Sequence, residues 1–155
     1  MTFSKMALSI LPLIVLEIPA VAQVPNLCSL VTIEDARAFF GATPEQQMAS
    51  PQICAYALKG QALKLIVVNY TASANAKHLF EMNRQGMEAA KGSPKDEPGL
   101  GASAFSAATK STIEIFLLKG NATVQLTASA DEHTPLAAGL LVKLRDVAKK
   151  AAGRM

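Results

Sequence analysis

The chain has 155 residues, half of them hydrophobic, with 15 Lys and Arg against 12 Asp and Glu for a net charge of +3. So small an excess argues against a nucleic-acid binder held by bulk charge. The length fits one domain rather than two.

At the N-terminus Lys5 precedes an apolar run from Met6 to Ile18, and Ala20-Val21-Ala22 ends it with the small-x-small pattern of a signal peptidase site. Residues 1–22 therefore read as a secretory signal peptide, and 23–155 as a single mature domain. The run is shorter than the roughly 20 apolar residues of a spanning helix, and Glu17 interrupts it. Cleavage would remove Lys5 and Glu17 together, so the mature chain keeps its net charge of +3. No later apolar run reaches spanning length. The expected location is outside the cytoplasm, periplasmic or secreted, with no transmembrane segment after cleavage.

Two cysteines, Cys28 and Cys54, both lie in the mature part. In an exported chain an even pair reads as a disulfide. They are not spaced as C-x-x-C, and no His lies between them to complete a metal site.

After a short extended lead, Thr32 to Gly41 carries helix signals at both ends: Thr32 to cap, Asp35 in the capping-box position, Gly41 as a left-handed stop. Ile33, Ala36 and Phe40 are the expected buried stripe. Residues 42–51, with Pro44 and Pro51, read as a loop. Strands at 52–58 and 62–70 follow, joined by a turn on Gly60, and the second is apolar on both faces, as a central strand is. From Ser73 to Ala90 the period becomes helical, with Ala76, Leu79, Phe80, Asn83, Met87 and Ala90 on one side and Glu81 and Arg84 as an i, i+3 pair. Residues 92–102 read as a flexible surface loop, rich in Gly, Pro and charge. A short strand near Ser103–Ala107 and a hairpin at 112–118 and 122–130 come next. Thr134 is expected to cap a last helix with Pro135 at its first position and Leu136, Leu140, Leu144, Val147 and Ala151 as its buried stripe.

"LKGQA" at 58–62 returns as "LKGNA" at 118–122, 60 residues later. That offset superposes both hairpins and brings the two long helices close, so a hairpin-plus-helix unit used twice is one reading, and two independent glycine turns the other. Either way the fold class is α+β: an antiparallel sheet of four to five strands from two hairpins, with helices packed on one face.

Chemical motifs are sparse. His78 with Glu81, and His133 beside Asp131 and Glu132, are at most partial metal sites. No G-x-S-x-G occurs, and "GLGAS" at 99–103 lacks the pattern and the following helix of a phosphate loop. Glu34-Asp35 suits a helix N-terminus and Asp96-Glu97 a solvated loop. No catalytic, cofactor-binding or metal residue is assigned. Lys143, Arg145, Lys149 and Lys150, with Arg154 beyond, suggest contact with an anionic surface, against the ordinary reading of cations near a helix C-terminus.

"CSLVTIEDARAFFG", then "ICAY", then "GLGASAF" resemble a group of small secreted or lipid-anchored bacterial proteins of unknown function. Their pattern is Cys-x-Leu-Leu-Thr, a short helix ending in Gly, a Cys followed two residues later by an aromatic, and Gly-Leu-Gly before a strand. The matching positions are Cys28, Leu30, Val31 and Thr32, then Gly41, then Cys54 and Tyr56, then Gly99, Leu100 and Gly101. The resemblance implies an exported α+β domain in which the two cysteines are joined, and it lends no catalytic residue. Val24-Pro25-Asn26-Leu27 before Cys28 is not a lipobox, and Ala102 stands where an acidic residue often follows Gly-Leu-Gly. The functional expectation is a non-catalytic exported binding or accessory domain, without cofactor, that meets a protein or envelope component through its exposed sheet face or the 92–102 loop. The alternative is a periplasmic enzyme inhibitor or small hydrolytic enzyme.

Overall fold

The computed structural model describes residues 26–90 and 92–155, so the expected signal peptide lies outside the described residues. The helices are Leu27–Leu30 (α1), Ile33–Phe40 (α2), Ala76–Ala89 (α3) and Leu140–Arg154 (α4). The strands are Glu45–Ala49 (β1), Ile53–Ala57 (β2), Lys64–Ala72 (β3), Lys95–Asp96 (β4), Ser103–Ala108 (β5), Thr112–Lys119 (β6) and Ala122–Ser129 (β7). All seven form one sheet in the order β1-β2-β3-β7-β6-β5-β4, antiparallel throughout. The α+β class stands; the described residues form seven strands, not four to five. Both extra strands are edges: β1, "EQQMA", is exposed along its whole length and β4 has two residues. Neither carries the β-branched alternation by which a strand is recognised, because an edge strand is specified by its neighbour more than by its own residues.

Alternation along β6 and β7 separates two faces. Ile115, Leu117, Val124 and Leu126 point to a core shared with α1, α2 and α4, through Leu27, Leu30, Phe39, Leu144 and Val147. Phe116 points the other way and meets Phe105 of β5 and Phe80 of α3. Helices therefore cover both faces, not one as expected: α1, α2 and α4 on the first, α3 on the second.

The two LKG turns are different devices. Lys119 pairs with Ala122, so Gly120-Asn121 is a two-residue hairpin loop with glycine at φ 57° in its first position, as a type II′ turn requires. Ala57 pairs with Lys64, which leaves six residues, 58–63, in the other turn. An offset of 60 also places equivalents on opposite faces: Tyr56 in the main core against Phe116 over α3, and Leu65 in the core against Gln125 on the other face. A two-fold rotation that exchanges antiparallel neighbours such as β3 and β7 leaves each face on its own side. The repeat of letters is thus not a symmetry of the fold.

Local signals fare unevenly. The α2 capping box is present in full, with Asp35 N–H donating to Thr32 Oγ1 and Thr32 N–H donating to the Asp35 carboxylate, and Gly41 closes the helix at φ 76°. Its buried face is Asp35, Ala36 and Phe39; Ile33 is 36% exposed. The lead before it is not extended: α1 is one helical turn capped by Asn26. The last helix starts at Leu140 rather than after Thr134. Gly139 sits at φ 84°, which no continuing helix tolerates, and Leu136 N–H donates to the Lys110 carbonyl across the fold instead of along a helix.

Cys28 and Cys54 are bonded, with Cα atoms 5.3 Å apart, and tie α1 to β2. Two further tethers hold the same segment: Tyr56 hydroxyl donates to the Val31 carbonyl at 2.8 Å, and Arg154 donates to the Leu30 carbonyl at 2.7 Å. Replacing both cysteines with serine is expected to lower stability by about 3.5 kcal/mol in the chain-entropy relation without abolishing folding. Urea titrations of the oxidised protein and the double variant, with unchanged far-UV circular dichroism, check this.

Candidate binding surface and its ionic ties

The residues singled out in the sequence do not converge. His78 and His133 are both exposed, one on α3 and one in the segment before α4. Among the described residues no three His, Cys, Asp or Glu are placed to hold a metal ion. Cys28 and Cys54 are consumed in their disulfide.

The basic residues of α4 prove more informative. Asp35, 3% exposed, receives Lys150 Nζ at 3.1 Å and the guanidinium of Arg154, as well as capping α2. Burial pushes its carboxyl up, but the hydrogen bonds from Arg154, the Thr32 backbone, Lys150 and the Thr32 hydroxyl outweigh this and hold it at about 2, below the ordinary 3.8. Arg145 makes a two-pronged contact with Glu97, at 2.6 and 2.7 Å. Arg145 draws the Glu97 carboxyl below its ordinary range against the opposing effect of burial, and the Ser106 hydroxyl, donating at 2.6 Å, assists. Of the four cations expected to face an anionic surface, Arg145 and Lys150 are thus engaged with buried carboxylates, while Lys143 and Lys149 are exposed and make no ion pair among the described residues.

Glu97 corrects the reading of Asp96-Glu97 as a solvated pair. In the extended stretch at β4, successive side chains leave opposite faces of the sheet. Asp96, opposite Phe105, turns toward α3 and meets Arg84 at 2.6 Å; Glu97 turns toward α4 and is 5% exposed. Arg84 therefore pairs with Asp96, and at 3.8 Å with Glu88, rather than with Glu81, and lies 5.7 Å from the Phe105 ring centre. The 92–102 segment is accordingly pinned, not loose. Leu100 is buried in the main core between Gly99 and Gly101, which sit at φ 85° and 80°. Gly-Leu-Gly is a double left-handed turn that drives one leucine inward.

Among the described residues, the second sheet face beyond α3 is left uncovered. There β-registry aligns Met48, Ala55, Ile66, Thr127 and Glu114 in one row, beside Ile53, Val68 and Gln125 in the next. Met48 is 50% exposed, and Ile53, Ile66, Val68 and Thr127 are half-buried. Gln125 donates its amide to Glu114 at 2.7 Å; burial raises the Glu114 carboxyl and that bond opposes the rise. Two concavities of about 320 Å³ border the sheet: one between α3 and the 96–104 segment, the other lined by Leu63, Ala130, Pro135, Leu136 and Leu140.

No protein-family model matches the chain, and no curated protein or solved structure matches it.

The open row and the Glu97 tie were missed in the sequence because each needs the sheet registry, and the pairing of the capping residue Asp35 with Lys150 and Arg154 because it needs the placement of α4 against α2. Arg84, Asp96, Glu97 and Arg145 were visible as residues; only the alternation at β4 assigns each acid its own arginine.

Because the folded Asp35 carboxyl lies below its unfolded value, its stabilising effect is complete above about pH 5 and is lost as pH falls through about 4 to below 2. The loss should be about 2 kcal/mol, and Asp35→Asn should flatten that part of the curve while lowering stability at neutral pH. Denaturant midpoints measured between pH 2 and 7 for both proteins check the sign and the window.

Proposed function

We propose that the chain acts as an exported binding or accessory domain, non-catalytic and without cofactor, that meets a protein or cell-envelope component through the open face of its sheet. One observation carries this reading. Helix α3 packs on the Phe105–Phe116 end of its face, and the remainder, from Met48 through Ile66 to Thr127 and Glu114, presents an apolar stripe beside hydrogen-bonding groups. Such a mixed, preformed surface suits a protein partner, where a flat apolar centre and a polar margin act together. Of the two surfaces expected from the sequence, the 92–102 segment is less suited, because Glu97 and Leu100 are already committed inward. Among the described residues no helix is long and apolar enough to cross a membrane. The resemblance to small exported bacterial proteins and the disulfide support export.

Ile66→Glu alters the centre of the open face while leaving the main core untouched. It should cost about 1 kcal/mol in stability, because Ile66 is half-buried on that face, and reduce recovery of a stoichiometric partner from envelope extract by at least about tenfold. Equal recovery with the variant, or loss only with Lys143→Glu and Lys149→Glu, would overturn the assignment. Mass spectrometry of the exported protein should find Gln23 as its first residue.

A further inference from the structure

We infer that β4 is a releasable strap over the edge of β5, held shut from one side by an exposed ion pair and anchored from the other by a buried one. This device is independent of which surface meets a partner.

The two ties are chemically alike and differ in their surroundings. Asp96 and Arg84 lie 2.6 Å apart with side chains 75% and 30% exposed; Glu97 and Arg145 lie 2.6 Å apart, but the Glu97 side chain is 6% exposed and also accepts from Ser106. An exposed pair shifts an equilibrium by about fivefold at most, whereas breaking a buried one leaves a charge without compensation. The weaker tie is therefore the one that opens.

The backbone permits that opening. Gly92 N–H donates to the Met87 carbonyl at 2.8 Å and Glu97 N–H to the Ala104 carbonyl at 3.0 Å, so four residues, 93–96, span two fixed points. Ser93, inside that span, is held at φ 46°, a conformation that disfavours any residue with a Cβ, and its release relieves the strain. Only Lys95 and Asp96 pair with β5, so few ladder bonds resist. Beside Asp96 in the register is Phe105, stacked on Phe116 and in edge contact with Phe80. Lifting 93–96 widens the cleft of about 320 Å³ beside α3 and uncovers the outer edge of β5, while the Glu97 anchor keeps α4 in place.

Hydrogen exchange followed by mass spectrometry on the folded protein tests this without any partner. In Asp96→Asn and in Arg84→Gln, amides of residues 93–96 should exchange faster, by up to about fivefold, with those of Glu97 and 140–154 unchanged. In the unmodified protein, raising the salt concentration should speed 93–96 toward the rate of the variants, because the exposed pair is screened. Glu97→Gln should speed both segments. The inference is overturned if neither variant changes exchange at 93–96, if salt has no effect there, or if α4 accelerates equally with the strap in Asp96→Asn.

Discussion

The pairing of β3 with β7 is the contact on which the remaining architecture depends. It joins the β1-β2-β3 meander to the β4-β5-β6-β7 meander, so that ribbons of three and four strands become one sheet with common faces. Once that register is set, Leu65 and Val67 fall into the same layer as Leu126, Ile115 and Leu117, and the first face becomes apolar enough to bury α1, α2 and α4. The opposite face receives what alternation leaves over: Phe116, Gln125, Thr127 and Glu114. Only its aromatic end can bury a helix, and α3 occupies that end. Covered and open regions thus follow from one register.

Around this sheet, charge is used to fix positions. Asp35 gathers the N-terminus of α2, the last turn of α4 and, through Arg154, the end of α1, and Glu97 fastens the β4–β5 connection to the middle of α4. Buried carboxylates are costly unless every oxygen is matched, and here each is matched by a cation and a hydroxyl or backbone donor. Such ties contribute less net stability than their number suggests, but they admit few alternative placements of α4.

The legible parts of this fold were those written over short distances. Thr32, Asp35 and Gly41 state the bounds of α2 on their own, and Cys28 with Cys54 stated a bridge from compartment and count. The limits of α4 were misread because Thr134-Pro135 is a good helix start that Gly139 overrides, through a backbone angle no composition reports. Strands β1 and β4 were illegible because pairing, not propensity, makes them. The site was less legible still. Ile66, Thr127 and Glu114 lie on three strands, and no spacing rule links residues whose adjacency is a matter of registry.

The clasp between Arg154 and the Leu30 carbonyl spans 124 positions in the chain. Leu27, Leu30 and Val31, close behind the expected cleavage point, are fully buried only when residues 140–154 lie over them. A chain synthesised from its N-terminus therefore cannot complete the packing of residues 27–31 until α4 has been made. Folding of this kind is governed by distant contacts and is slow to begin.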